Sequence, residues 1–441
     1  MNANKLWSKN SATTSSLKRI EEFTVGKDPD FDLLLAPFDI LGTKAHIKML
    51  NSIGFLSPED LTALLEELDV LLAQTKAGTF SIGEGIEDVH SQIEFHLTEK
   101  LGGAGKKIHT GRSRNDQVLL AIKLYLKSEV EAMADLAKRL FERLLTLAKL
   151  HENKLMPGYT HFQIGMPSSI GLWLSAFAES LSEDLEILLV AHSVVSKNPL
   201  GSGAGYGSSF PLDRDFTTKA LGLSKMNINS IYAQMTRGKS EKTVAFAMSS
   251  LAATIGKLAN DICLFTNQNF GFIKFPSELT TGSSIMPHKK NPDVFELIRA
   301  KCSRIQSTPG ELTLLTHNLM TGYNRDYQLT KEVLFPAIVD LKDSLDLFAF
   351  MLEHLEVSEG ILNDEKYEYL FTVEKINELM LSGQSFRDAY REVGNSIEEG
   401  RYHYRKDVLE HTHKGSIGNL CLEEIRFEFN GIYQKFYNET P

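Results

Sequence analysis

Three short segments of this chain set chemistry-bearing side chains at helix entrances. The first is Gly282-Ser283-Ser284-Ile285-Met286-Pro287-His288-Lys289-Lys290-Asn291-Pro292-Asp293. Asn291-Pro292-Asp293 reads as a helix start, with Asn291 as cap, Pro292 at the first helical position and Asp293 against the positive dipole end. Gly282 and the serines add little bulk and can bend. A hydroxyl loop with lysines beside a helix N-terminus suits a ligand bearing carboxylates. The second segment is His109-Thr110-Gly111-Arg112-Ser113-Arg114-Asn115-Asp116-Gln117. Ser113 or Asn115 can cap the following helix, and Arg112 and Arg114 place two cations beside its positive end, an arrangement suited to an anion. The third, Met156 to Gln163, carries His161 in a turn before another helix. Glu296 sits one turn inside the helix that begins at Pro292. Each also has an ordinary structural reading: a bent loop, a capped helix with solvated arginines, a hydrogen-bonding loop histidine, a first-turn dipole partner.

Taken whole, the strings are more specific. Residues 282–293 resemble GSSxxMPxKxNP, the signature loop of the fumarase/aspartase superfamily. Those enzymes take a proton from the carbon beside a carboxylate and expel an amine or hydroxyl, leaving fumarate. His288 is similar to the adenylosuccinate lyase form of the loop. HTGRSRNDQ at 109–117 resembles the argininosuccinate lyase form, and this longer string outweighs His288. Met156-Pro157-Gly158-Tyr159-Thr160-His161-Phe162-Gln163 resembles MPGYTHLQ, and Glu87-Asp88-Val89-His90 resembles EDVH. Tyr323 to Glu332 is similar to YNxDxQxDKE, and Asp39 to His46 to DIxGSxAH.

The resemblance implies reversible elimination of argininosuccinate to arginine and fumarate, with no metal and no cofactor. It implies Ser283 as base, His161 assisting protonation of the leaving nitrogen, and Glu296 orienting His161. A carboxylate on an imidazole raises its pKa and fixes its tautomer, as acid/base work requires. A serine hydroxyl can serve as base only as a stabilised alkoxide, favoured by a helix N-terminus, cations and exclusion of water. Lys289 and Asn291 are implied to stabilise the dianionic aci-carboxylate intermediate, where charge develops. His90, Arg114, Asn115, Thr160 and Arg237 are implied substrate contacts, as are Ser284, Asn291, Tyr323, Gln328 and Lys331. The resemblance also implies an all-α subunit in three parts and sites shared among three subunits of a homotetramer. The other readings are adenylosuccinate lyase and a non-catalytic paralogue of the lens-crystallin kind.

Several positions depart from the pattern and mark a divergent branch. The opening LWGGRF is reduced to Leu6-Trp7-Ser8-Lys9, and an expected Arg is Leu34. In NSLDAVSDRD the acids flanking Arg237 are replaced by Thr236 and Gly238. Thr330 replaces the Asp of YNxDxQxDKE. Ser385 to Tyr390 resembles PFRxAH without its preceding motif.

The elements that must position these residues are long helices. No Gly or Pro interrupts residues 113–151, where Val118, Ile122, Tyr125, Val130, Met133, Leu140, Leu144 and Leu147 recur at mostly helical intervals. Further helices are predicted from about Pro167 to Lys197, from Ser240 to Asn267, from Pro292 with a break at Pro309, and from Leu329 towards Leu355 with Pro336 inside. Five long apolar helices cannot all face water, so a central bundle that also buries surface between subunits is expected. The predicted division is an N-terminal helical part at 1–112, the bundle at 113–356 and a small helical part at 357–441. Few segments alternate as strands do, and no internal repeat is present.

Composition narrows the partners. A formal charge of −10 argues against general nucleic-acid binding and against an anionic membrane surface, so an anionic substrate needs a local basic pocket. Cys263, Cys302 and Cys421 are widely spaced with no CxxC pair, as expected of reduced thiols in a cytoplasmic protein. The polar N-terminus has no signal-peptide core. Ala245 to Phe265 contains Lys257 and Asp261 and is predicted to be a buried helix, not a membrane span. No HExxH-type metal pairing occurs among the histidines.

Overall fold

The computed structural model describes residues 14–83 and 85–438; the Leu6–Lys9 departure lies outside the described residues. The described chain is dominated by α-helices. Near its start come α1 (Thr14–Val25), α2 (Asp28–Ser52), α3 (Pro58–Lys76) and α4 (Val89–Leu101). Long helices follow: α5 (Arg114–Leu150) and α6 (Ile170–Val195), then the short α7 (Arg214–Ala220) and α8 (Ser230–Met235), then α9 (Lys239–Phe265). Next come α10 (Asp293–Ile305), α11 (Thr308–Thr316) and α12 (Thr330–Leu352). The smaller α13 (Thr372–Leu381), α14 (Phe386–Glu398) and α15 (Leu422–Tyr433) end the series.

α5 holds 37 residues, which at ~1.5 Å each gives a rod of about 55 Å. Ser113 starts it with a capping box: its Oγ accepts from Asn115 N at 3.2 Å, and its own N–H donates to Asp116 Oδ1 at 3.0 Å. α5 packs along α6, α6 along α9, α9 along α10, and α12 closes onto α5. Leu126, Val130, Met133, Leu140 and Leu144 of α5 share one continuous core with Leu174, Leu181 and Leu188 of α6 and Leu251, Ile255 and Ile262 of α9. Burying these faces is what stabilises helices of such length. Pro309 falls in the first turn of α11, where its missing N–H costs nothing, so the expected break is a clean separation of α10 from α11. Pro336 lies inside α12 without ending it. α2, α3 and α4 enclose a second core around Ile40, Leu64, Leu68 and Ile93, and α13 and α14 a small third one around Ile376, Ala389 and Val393.

The strands are short and paired in twos: β1 (Leu155–Thr160), β2 (Gln163–Ser169), β3 (Lys197–Asn198), β4 (Lys225–Met226), β5 (Ile273–Lys274), β6 (Thr281–Gly282), β7 (Lys290–Asn291) and β8 (Glu356–Val357). β1 pairs antiparallel with β2, and β6 with β7. Two sequence expectations change here. The turn around His161 is the tip of the β1–β2 hairpin, so the second long helix starts at Ile170 and not near Pro167. The fourth helix starts at Asp293 with Pro292 at the cap position, and Asn291 is not its cap. Asn291 is drawn into β7 opposite Thr281, and its Nδ2 donates to Thr281 Oγ1 at 3.3 Å.

Candidate active site

Seven of the predicted substrate contacts line one cavity of about 200 Å³: His90, Arg114, Asn115, Arg237, Tyr323, Gln328 and Lys331. Residues from α2, the start of α4, the start of α5, the α8–α9 connection and the segment leading into α12 form its wall. Cations and carboxylates alternate around it. Lys331 Nζ lies 2.6 Å from Asp28 Oδ1 and 2.6 Å from Asp32 Oδ1; Lys331 and Asp32 are buried and Asp28 is partly exposed. Burial raises the Asp28 carboxyl above its usual range, and the Lys331 charge offsets only part of that. Arg114 Nη2 donates to Ser91 Oγ at 3.1 Å, and its Nε is 3.6 Å from Asp88 Oδ2. Burial works to raise Asp88, but His90, Arg114 and the Ser91 N–H at 2.7 Å hold it below the usual carboxylate range. At the mouth, Arg325 Nη2 meets Glu87 Oε1 at 3.3 Å.

His90 is fully buried, with Nδ1 2.8 Å from Asp39 Oδ1. The same oxygen accepts from Gln117 Nε2 at 2.8 Å. Burial alone would raise Asp39; the close approach of His90, aided by Arg112 and the Gln117 hydrogen bond, brings it below its ordinary value instead. Gln328 Nε2 donates to the carbonyls of Thr24 and Val25 at 3.1 and 3.0 Å, pinning the end of α1 beside the cavity. Tyr323 is half exposed at the rim.

Arg112 does not join this site. It is buried, donating from Nη1 to Thr43 Oγ1 at 3.1 Å and from Nη2 to the Ile108 carbonyl at 2.8 Å. The expected twin cations at the head of α5 are therefore one structural arginine and one, Arg114, that faces the cavity. Nearby, burial and the Arg112 and Arg114 charges push the His109 imidazole down to about 4.

The remaining predicted residues lie outside this cavity, Ser283 and Asn291 half-buried and the others exposed. Thr160 and His161 are at the tip of the β1–β2 hairpin, and His161 and Phe162 both adopt positive φ, 53° and 57°. Non-glycine residues pay about 1–2 kcal/mol each for that conformation, so the tip is held by its strand pairing. Ser283, Ser284 and Lys289 occupy the loop between β6 and β7. Ser283 Oγ accepts from Ile285 N at 3.3 Å and Met286 N at 3.2 Å, donors of the kind that favour an alkoxide. Thr281 Oγ1 bonds Asp293 Oδ2 across the base of the loop. Glu296 is exposed in the first turn of α10. Among the described residues no hydrogen bond or ion pair joins His161 to Glu296, so the single chain does not form the pairing the resemblance implies.

Sequence reasoning missed Asp28 and Asp32. The available signal was Asp28-Pro29-Asp30-Phe31-Asp32, which puts two acids four apart on one helical face. Glu241, which contacts Arg237, was missed as well. Of the departures, Leu34 is half exposed, Thr236 and Thr330 are buried with their hydroxyls on the Ala233 and Tyr327 carbonyls, and His288 is exposed. The three cysteines are free, and no group of His, Cys, Asp and Glu among the described residues could hold a metal ion. Among the described residues no helix is long and apolar enough to cross a membrane.

A family described as "Lyase" matches residues 1–307. An argininosuccinate lyase of Bacteroides fragilis is 53% identical, the match spanning 98% of each chain. One from Parabacteroides distasonis is 52% identical over 98% of this chain and 96% of its own. A crystal structure of EDDS lyase in complex with formate shares the fold with a TM-score of 0.73, at 20% identity, over 94% of this chain and 90% of that one.

Proposed function

The chain belongs to the argininosuccinate lyase family of the fumarase/aspartase superfamily, and we propose that it cleaves argininosuccinate to arginine and fumarate, reversibly, in arginine biosynthesis. The observation that carries the reading is the likeness at 53% identity along 98% of both chains. The cavity supports it. Argininosuccinate bears three carboxylates and a substituted guanidinium, and a wall of alternating Arg, Lys, Asp and Glu offers partners to both signs of charge.

In the proposed reaction Ser283 takes the proton from the carbon beside one carboxylate. Lys289 and Asn291 neutralise the charge that gathers on that carboxylate. The carbon–nitrogen bond then breaks, its electron pair stays on nitrogen, and His161, oriented by Glu296, helps deliver a proton there. Arg114, Asn115, Arg237, Tyr323, Gln328 and Lys331 hold the substrate, with His90, Thr160 and Ser284 beside it. The cavity lies within one subunit, while Ser283 and His161 ride on separate exposed hairpins. A homotetramer in which three subunits complete each site unites them, and the exposed Phe246, Leu297, Val339 and Leu347 of the long helices give it apolar surface to bury. We assign the protein to the cytoplasm, and the three parts 1–112, 113–356 and 357–441 to an N-terminal unit, a tetramer core and a C-terminal unit.

One experiment tests the reaction and its competitor. Fumarate absorbance is followed with argininosuccinate and, beside it, adenylosuccinate, the substrate hinted at by His288. The expected result is turnover of the first alone. Turnover of adenylosuccinate alone, or of neither, overturns the reading. Light scattering on the active species should give about four times the 49.4 kDa chain mass, and a fully active monomer sinks the shared site.

A further inference from the structure

We infer that Glu241 is the positioning residue for Arg237, holding its guanidinium on the cavity wall where it meets a substrate carboxylate. The inference rests on the function proposed above. Arg237 lies in the connection between α8 and α9, and Glu241 is in the first turn of α9. Both side chains are buried, 4% and 1% exposed. Arg237 Nε is 3.0 Å from Glu241 Oε1, meeting it as a charge pair and not as an aligned hydrogen bond. Glu241 Oε2 accepts from Gly238 N at 2.8 Å. One carboxylate therefore clamps both the backbone that carries Arg237 into α9 and the guanidinium itself. Arg237 Nη2 donates to the Tyr327 carbonyl at 3.2 Å, which fixes the plane of the group. Among the described residues Nη1 makes no protein hydrogen bond, and it is the donor left for a ligand.

The neighbouring positions cannot supply this clamp. Gly238 has φ +75°, and a Cβ there would come within 2.9 Å of Thr316 and 3.0 Å of Tyr327. Thr236 spends its hydroxyl on the Ala233 carbonyl at 2.6 Å. A competitor faces Arg237 as well: Asp28, on the same cavity, feels its charge. A guanidinium freed from Glu241 would be drawn towards Asp28 and Asp32. It would then neutralise the cavity from within instead of presenting a cation to the substrate.

A double-mutant cycle tests this. Arg237→Gln, Glu241→Gln and the double variant are measured for KM and kcat with argininosuccinate, for melting temperature, and for the thermal shift given by succinate. Gln at 241 still accepts from Gly238 N, and Glu241→Asp replaces it in the cycle if it fails to fold. Glu241→Gln should raise KM about tenfold with kcat within about twofold, and the double variant should be no worse than Arg237→Gln, as expected of residues acting as one unit. Effects on KM that multiply, or a lowered melting temperature and kcat at unchanged KM, overturn the positioning role. Failure to turn over argininosuccinate, with the cycle intact on the succinate shift, overturns the proposed reaction and leaves Glu241 in place. A wild-type protein showing neither turnover nor shift overturns both.

Discussion

The cavity and the two hairpins differ in almost every physical respect. Around the cavity, charges are mostly buried and held at short distance, Lys331 by Asp28 and Asp32 and His90 by Asp39 from far away in sequence, and Arg237 by Glu241 from the next helical turn. Such pairs are costly to break, because removing one partner strands a desolvated charge. The Ser283 loop and the His161 tip are exposed and tied mainly to their own backbone. On the roles proposed for them, the groups that hold the substrate sit in a rigid, pre-paired wall, and the groups that move protons sit on exposed hairpins. Preorganisation suits groups that bind the substrate throughout, while groups needed only at the transition state can arrive with closure and assembly.

That contrast can be broken at either end. Ser283→Ala should lower kcat by roughly 10³-fold or more while stability moves by less than about 1 kcal/mol, since a half-buried hydroxyl and its two long bonds to its own loop backbone are all that is lost. Near-normal fumarate release by this variant sinks the base assignment, and a large drop in stability would erase the distinction between the two regions. Lys331→Met should do the opposite in kind. It strands Asp28 and Asp32 and should cost about 3–5 kcal/mol in urea unfolding. A loss below about 1 kcal/mol would mean the cavity is as loosely built as the hairpins.

The smallest effect concerns pH. Folded His109 takes its proton only near pH 4, whereas an unfolded histidine does so near 6.5. Between those values the unfolded chain binds more protons, so stability present above about pH 6.5 is lost as pH falls towards 4. His109→Gln should flatten that part of the stability curve; an unchanged slope would show that the head of α5 does not press on this imidazole.

Much of the helical frame was legible from periodicity. Residues 113–151 were read as one helix, and α5 spans Arg114–Leu150. The β1–β2 hairpin was not legible, because Pro157, Gly158, Gly165 and Pro167 look like loop, and the tip uses left-handed His161 and Phe162 where a turn rule asks for Asn-Gly. Asn291 looked like a cap and became a strand residue, because Thr281 across the hairpin competes for its backbone and side chain. Arg112 and Arg114 look equivalent in a string, yet one side chain turns into the α2 packing and the other into the cavity.

By itself the sequence determined the family, the long helices and which residue types were available for proton chemistry and anion binding. Those depend on local spacing, which a one-dimensional string retains. Tertiary structure decided which of these side chains meet. Lys331 and Asp32 are 299 residues apart, and the bond that joins Arg325 to Glu87 spans 238. Charge interactions follow distance in space and the dielectric around them, and neither quantity exists until the bundle has packed.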